Sequence, residues 1–92
     1  ALLQASSDAD LVAASLGGNR AAFEQIVERY QRLLCSLAYS ALGDVGTSED
    51  LAQETFVTAW QKLGELREPE KLRPWLCAIL RFKISHARRR DG

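Results

Sequence analysis

The chain has 92 residues, of which 47% are hydrophobic and 26% charged, so it fits one small globular domain with a single core and is not a disordered polypeptide. Its 12 basic and 12 acidic residues give a formal net charge of zero, so overall charge alone does not indicate a nucleic-acid partner. No apolar run approaches the roughly 18 residues of a membrane span and no leader-like segment precedes the first helical pattern, so we expect a cytoplasmic protein without membrane contact.

The hydrophobic pattern predicts an all-α fold, a compact bundle of three long helices and a short N-terminal helix. The short helix covers about residues 8–16, with Asp8 as its N-cap and Gly17 and Gly18 at its end. Residues 1–7 are expected to lie outside the folded domain, either disordered or as an added N-terminal segment.

The second helix supplies most of the predicted core. It begins after Asn19, a favourable N-cap residue, and ends before Gly43. Its apolar residues follow the i, i+3, i+4, i+7 spacing of a buried helix face. With apolar positions of the later helices, this face predicts a core of Phe23, Val27, Tyr30, Leu34, Leu37, Phe56, Leu63, Trp75, Ile79 and Leu80.

The third helix has an apolar face and, opposite to it, a polar stripe that contains a valine. Thr47 and Ser48 are its predicted caps, and Gly64 marks its end. The stripe consists of Asp50, Glu54, Val57 and Gln61. Because single exposed valines are common, the stripe is equally consistent with an ordinary solvent-facing side and with a contact surface.

A polar connector over residues 64–73 leads to the fourth helix. This helix is predicted to run from about residue 70 or 74 to residue 90, since Pro74 is tolerated in a first turn. Two apolar stripes predict that it is well buried; they contain Trp75, Ile79 and Phe82, and Leu76, Leu80, Ile84 and Ala87. The band left for solvent runs through Ala78, Arg81, Ser85 and Arg88.

The charges are segregated along the chain although they cancel overall. Residues 1–70 contain 5 basic and 11 acidic residues, whereas residues 71–92 contain 7 basic residues and 1 acidic residue. Basic side chains spaced one per turn can follow a phosphate backbone, but a solvated basic tail has the same composition. The asymmetry favours a nucleic-acid partner at the C-terminal end and leaves the solvated tail open.

No pattern of residues indicates an enzyme, a cofactor or a metal site. His86, the single histidine, lacks a nucleophile or carboxylate at an informative spacing, so we expect it to pack or to cap a helix. Cys35 and Cys77 lack the spacing of metal ligands and are expected to be plain thiols.

Three segments, AFEQIVERYQRLL, SEDLAQETFVTAWQKL and RPWLCAILRFKISHARRR, occur in an order and spacing that resemble a known family. The chain resembles region 2 of the extracytoplasmic-function (ECF) group of bacterial RNA polymerase sigma factors over about residues 8–90. The most specific part is the D-L-x-Q-E-x-F-x-x-A-W element followed by W-L-x-x-I and a basic end. The resemblance implies a non-enzymatic transcription initiation domain with a sigma region 2-like fold.

The resemblance also implies partners and contact residues. In the family, the D-L-x-Q-E helix docks on the clamp helices of the largest subunit of core RNA polymerase; the matching residues here are Asp50, Gln53 and Glu54. Val57 and Gln61, on the same stripe, are implied to belong to that polymerase-binding surface. The family also melts the promoter minus-ten element and binds its non-template strand. The positions implied for DNA binding are Leu66, Arg67, Lys71, Arg73, Trp75, Arg81, Ser85 and Arg88. An anti-sigma factor is a further expected partner.

Some features depart from the family pattern. An aromatic residue is common where Leu66 stands, a Tyr-Arg pair where Cys77 and Ala78 stand, and an asparagine where Phe82 stands. Family members also carry a C-terminal helix-turn-helix domain that reads the minus-thirty-five element, and residues 91–92 are only a tail. We therefore expect the chain to be an excised piece of a longer protein.

Two other classes of protein compete with this interpretation. A helical protein-interaction adaptor without DNA binding explains the polar stripe but leaves the basic fourth helix unexplained. A compact helix-turn-helix DNA-binding domain explains the basic end, but the connector over residues 64–73 is longer than the turn that such a motif uses.

Overall fold

The computed structural model describes residues 6–91 and shows four α-helices and no strand over that range. The helices are α1 (Asp8–Leu16), α2 (Arg20–Leu42), α3 (Val45–Lys62) and α4 (Leu72–Asp91), and two 3-10 turns, Leu63–Glu65 and Pro69–Lys71, join α3 to α4. The predicted all-α bundle of three long helices and one short one is confirmed. The expectation for residues 1–7 falls mostly outside the described range, and so does Gly92 of the expected tail.

The start of α1 is set by a capping box between Ser7 and Asp10, so the predicted cap at Asp8 was wrong. The hydroxyl of Ser7, and not the carboxylate of Asp8, accepts the backbone N–H of Asp10 at 3.1 Å, and the Asp10 carboxylate accepts the N–H of Ser7 at 3.3 Å. This reciprocal pair satisfies two donors at the helix end. Asp8 is thereby available to α2, where it accepts hydrogen bonds from Arg29 and Tyr30.

The boundaries of α2 agree with the prediction, whereas α3 begins earlier than expected. Asn19 caps α2 by accepting the N–H of Ala22, and Gly43 ends it in the left-handed conformation at φ 73°. Asp44 then caps α3 at once, accepting the N–H of Thr47 at 2.8 Å. The predicted caps Thr47 and Ser48 lie inside the first turn, because the aspartate directly after the glycine already takes the capping position and accepts one of the exposed N–H groups.

The core forms where all four helices meet. Half of the predicted core residues are buried: Tyr30, Leu34, Phe56, Leu63 and Leu80. Four more are partly buried against that cluster: Phe23, Val27, Trp75 and Ile79. Leu37 is 41% exposed, so its assignment to the core was wrong. The buried line of α2 repeats every four residues through Leu34 to Ala38, and Leu37 lies at its solvent-facing edge.

The fourth helix is less buried than its two apolar stripes predicted. The stripe of Leu76, Leu80, Ile84 and Ala87 is buried as expected, and Leu72 extends it by one turn. On the second stripe Trp75 and Ile79 are half-buried, but Phe82 is 66% exposed and that prediction was wrong. Burial along the second stripe therefore ends before Phe82.

Two polar contacts tie distant parts of the bundle together. Asp8 bridges α1 to α2 through an ion pair with Arg29 at 2.9 Å and a hydrogen bond from the Tyr30 hydroxyl. Arg88 of α4 donates to the carbonyl of Ala41 at 2.7 Å, which satisfies one of the open acceptors at the end of α2. Within the described residues, no helix is both long and apolar enough to cross a bilayer.

Candidate functional site

The exposed side of α3 carries every residue that was predicted to bind polymerase. Asp50, Gln53, Glu54, Val57 and Gln61 are all exposed, and together they form what we call the docking stripe. The opposite side of the helix is committed to the core, where Ala52 and Ala59 are at most 1% exposed. A partner can therefore contact the docking stripe without disturbing the packing of the bundle.

Shallow grooves border the docking stripe on both sides, so that α3 stands between them as a ridge. One groove lies towards α2 and is lined by Val27, Gln31, Glu49, Asp50, Ala52, Gln53 and Phe56. The other lies towards α4 and is lined by Asp50, Gln53, Glu54, Val57, Thr58 and Lys83. In the second groove the Lys83 ammonium lies 4.0 Å from the Glu54 carboxylate. A ridge with acidic and amide groups suits a basic helical partner.

Val57 does not stand alone on the polar stripe, because it borders an apolar groove. Val57 is 58% exposed, and with Phe23, Phe56 and Trp60 it lines a groove between α2 and α3. The rings of Phe23 and Trp60 pack edge to face with centroids 4.9 Å apart. This apolar extension was not predicted, because Phe23 and Trp60 come together only in the folded bundle. The one signal in the sequence is the position of Trp60 at the edge of its helix's apolar face.

The connector between α3 and α4 has a buried anchor and a charged exterior. Leu66 is only 9% exposed and belongs to the core cluster, so contact between its side chain and DNA would require the connector to shift. Arg67, Lys71 and Arg73 are exposed around it, and Trp75 is half-buried at the start of α4. Three exposed cations thus lie in the connector and the first turn of α4, the segment that also holds Trp75. The DNA-binding role of these residues stays a prediction.

The predicted solvent band of α4 is present. Arg81, Ser85 and Arg88 are exposed, and they border a groove towards α2 that also includes Leu37 and Cys77. Arg88 has a structural contact as well, its hydrogen bond to Ala41. Both arginines were predicted to bind DNA, but Arg88 also stabilises the contact between α4 and α2.

On another side of α4, Phe82 and His86 form an exposed aromatic pair that was not predicted as a site. Their ring centroids are 5.1 Å apart and their planes are inclined by 56°. The spacing of four residues was visible in the sequence, but the exposure of Phe82 was not, because its periodicity is that of a core residue.

The two cysteines are partly buried free thiols. Burial, with a smaller contribution from the charge of Glu49, raises the pKa of the Cys35 thiol, so the reactive thiolate is disfavoured there. Among the residues described, no cluster of three or more His, Cys, Asp or Glu side chains is placed to hold a metal ion.

Comparison with known proteins gives one family and several relatives. Residues 26–92 match the family Sigma-70 region 2. Over 64 residues, 70% of the chain, the sequence is 41% identical to the probable RNA polymerase sigma factor RfaY of Xanthomonas campestris. Over 84 residues, 91% of the chain, it is 33% identical to the RNA polymerase sigma factor NccH of Alcaligenes xylosoxydans. Over 62 residues, 67% of the chain, it is 36% identical to the ECF RNA polymerase sigma factor SigW of Bacillus subtilis.

These relatives are longer than the chain. It spans 16% of RfaY, 45% of NccH and 33% of SigW. No solved structure matched it.

Proposed function

The chain belongs to the Sigma-70 region 2 family, and we propose that it is the part of an ECF sigma factor that docks on core RNA polymerase and binds the melted promoter minus-ten element. Sigma factors are non-enzymatic transcription initiation factors. The proposal therefore assigns the chain two binding surfaces and no catalytic residue or cofactor.

The docking stripe is the surface that we assign to the clamp helices of the largest polymerase subunit. The single observation that carries this assignment is the shared exposure of Asp50, Gln53, Glu54 and Val57 on one side of α3. Two carboxylates and an amide can attract and orient a basic helical partner, since complementary charge raises the association rate and fixes the register. Burial of Val57 then adds an apolar contact that slows dissociation.

The second surface is the connector and α4, which we assign to the non-template strand of the minus-ten element. Support comes from the exposed cations Arg67, Lys71, Arg73 and Arg81 and from the half-buried ring of Trp75. Unpaired bases bind to proteins by stacking on aromatic rings, while cations hold the phosphates. Because closed duplex DNA hides the faces of its bases, we expect a preference for single strands.

For the complete protein, we also propose a protein partner and a cellular location. An anti-sigma factor is a further proposed partner, and a polymerase-bound factor would act in the cytoplasm. Both statements rest on the family, since the chain spans less than half of each relative described above.

Co-purification with core RNA polymerase tests the proposal. Tagged chain incubated with core enzyme should retain the largest subunit, and added soluble clamp-helix fragment should displace it. A second chain that carries Glu54→Lys should retain much less polymerase, whereas Glu28→Lys, the same charge reversal at an exposed site on α2, should retain as much as the parent. Equal recovery with all three chains would refute docking through this stripe.

A further inference from the structure

The connector between α3 and α4 has few buried contacts of its own. Between Leu63 and Leu72 the one buried residue is Leu66. Its turns close through local hydrogen bonds, from the Leu66 N–H to the Leu63 carbonyl at 3.1 Å and from the Lys71 N–H to the Glu68 carbonyl at 2.8 Å. A segment with few buried apolar contacts opens easily, so the geometry of the connector depends on what packs against it.

The helix that packs against the connector is α1. Apart from α3 and α4, which the connector joins, α1 is the only helix of the described range that lies against the 3-10 turns, and it contacts both of them. Leu11 and Val12 of α1 belong to the same core cluster as Leu66. With nine residues, α1 is too short to be stable by itself, so it covers the connector only while other contacts hold it in place.

One carboxylate provides the polar part of those contacts. Asp8, in the first turn of α1, pairs with the Arg29 guanidinium at 2.9 Å and accepts a hydrogen bond from the Tyr30 hydroxyl. A second nitrogen of Arg29 donates to the Ser6 carbonyl at 3.0 Å. Among the side chains that the structure describes, no other hydrogen bond or ion pair joins α1 to another helix. Asp8 therefore fixes the start of α1 to α2.

The same cluster lies near a cation of the proposed DNA surface. Burial, and then the hydrogen bond to Asp8, raise the pKa of Tyr30, while the positive charges of Arg29 and Arg73 oppose the rise. Because such effects fall off with distance, Arg73, in the first turn of α4, lies close to this tyrosine. Asp8 thus occupies the place where α1, α2 and the end of the connector come together.

We propose that Asp8 is a positioning residue for the strand-binding connector. By fixing α1 to α2 it holds α1 against both 3-10 turns, and α1 in turn keeps the exposed Arg67 and Lys71 ordered before the strand arrives. A loop that is already ordered binds more tightly, because less conformational freedom is lost on binding. This proposal rests on the DNA-binding part of the proposed function and gives α1 a role in it.

Binding of a fluorescent thymidine oligonucleotide to the whole chain tests the proposal, because positioning and charge predict opposite signs. If Asp8 acted only through its charge, its removal would strengthen the binding of a polyanionic strand. Asp8→Ala should instead weaken strand binding on the order of 10-fold, the effect of having to order one or two long side chains on binding. Glu28→Ala, which removes an exposed acid of α2, is the matched control and should bind at least as tightly as the parent.

Amide hydrogen exchange gives the readout that a general loss of stability does not. Asp8→Ala should accelerate exchange at Leu66 and Lys71, whose N–H groups close the turns of the connector. Exchange at Gly43, whose N–H is bonded at the end of α2, should stay unchanged, and so should the affinity for the clamp-helix fragment. Asp8→Asn, which keeps an acceptor for Tyr30 and loses the ion pair, should show smaller changes in the same direction. It decides the matter if the alanine variant does not fold.

Each other outcome overturns the positioning role in a recognisable way. If Asp8→Ala binds the strand as tightly as the parent, or binds less tightly without faster exchange in the connector, DNA binding stands and the positioning role is refuted. If exchange at Gly43 accelerates as well and the clamp-helix fragment is bound more weakly, Asp8 stabilises the whole bundle and the proposal is wrong. If the parent binds no single strand at low salt, the DNA-binding part of the proposed function fails and the positioning role fails with it.

Discussion

Glu54 and Lys83 face each other across the boundary between α3 and α4, with the carboxylate oxygen 4.0 Å from the ammonium nitrogen. Their side chains are 57% and 21% exposed, respectively, so the pair is open to water and contributes at most about 1 kcal/mol to folding. The pair nevertheless connects the two surfaces of the proposed function, because Glu54 lies on the docking stripe and Lys83 on the basic helix.

The first prediction concerns this contact. Lys83→Ala should leave the free energy of unfolding within about 0.5 kcal/mol of the parent and should bind the clamp-helix fragment as tightly or slightly more tightly, because Lys83 no longer competes for Glu54. Urea denaturation and fluorescence anisotropy measure the two effects. Arg32→Ala, which removes an exposed cation on α2, is the control, and a marked loss of clamp binding in the Lys83 variant alone would contradict the account.

The second prediction separates Arg81 from Arg88. Arg81→Ala should reduce the slope of log K against log salt for a single strand by about 0.7, the contribution of one phosphate contact, without a change in stability. Arg88→Ala should also lower the free energy of unfolding by about 1 kcal/mol, because it removes the hydrogen bond to Ala41. If neither variant changes the slope of log K against log salt, Arg81 and Arg88 do not contact phosphates, and this side of α4 is an ordinary solvent-exposed surface.

The third prediction follows from the tyrosine under α1. Burial, and then the hydrogen bond to Asp8, raise the pKa of Tyr30 from 10.0 to about 12. A pKa raised in the folded state means that its contribution to stability is complete below pH 10 and is lost as the pH rises towards 12. At 1.36 kcal/mol per unit this contribution is about 2–3 kcal/mol.

Urea denaturation of the parent and of Tyr30→Phe at about pH 8 and about pH 11 tests it. The phenylalanine variant should be about 1 kcal/mol less stable at the lower pH and should lose less stability on going to the higher one. Tyr39→Phe, at a half-exposed position, should behave as the parent. Parallel losses in all three chains would show that other groups dominate the alkaline transition.

The fourth prediction tests the correction to the core of α2. Leu34 is fully buried whereas Leu37 is 41% exposed, although both fit the same apolar repeat. Leu34→Ala should therefore lower the free energy of unfolding by about 2–5 kcal/mol, and Leu37→Ala by less than about 1 kcal/mol. Thermal and urea denaturation of the two variants decide the point, and similar losses would mean that Leu37 is covered in solution.

Much of the fold could be predicted from the sequence because glycine and asparagine residues mark the helix ends and the apolar spacing marks the faces. Asn19 and Gly43 bound α2 as predicted. The predictions of the α1 cap and of the burial of Phe82 failed, because the local sequence fits both the predicted and the observed arrangement. Ser7 and Asp8 are both good caps, and Phe82 has the periodicity of a core residue. Which of the two residues caps α1, and which α4 residues are buried, depend on the packing of the whole bundle.

Some features of the candidate sites could also be predicted from the sequence, and others could not. Exposure of the docking stripe was predictable, because one helix with one buried face determines what lies opposite to it. The groove of Phe23, Val57 and Trp60, the hydrogen bond of Arg88 and the burial of Leu66 were not predictable. Each of these depends on contacts between helices that are distant in sequence.

The central claim, docking through α3, is tested most directly by the dissociation constant of the chain for a purified clamp-helix fragment. Glu54→Lys should weaken the complex by roughly 2 kcal/mol, about 30-fold, because it places a cation against a basic partner and beside Lys83. Glu28→Lys should bind as the parent does, with folding unchanged in both variants. A Glu54→Lys chain that is folded and binds the fragment as tightly as the parent would contradict the account.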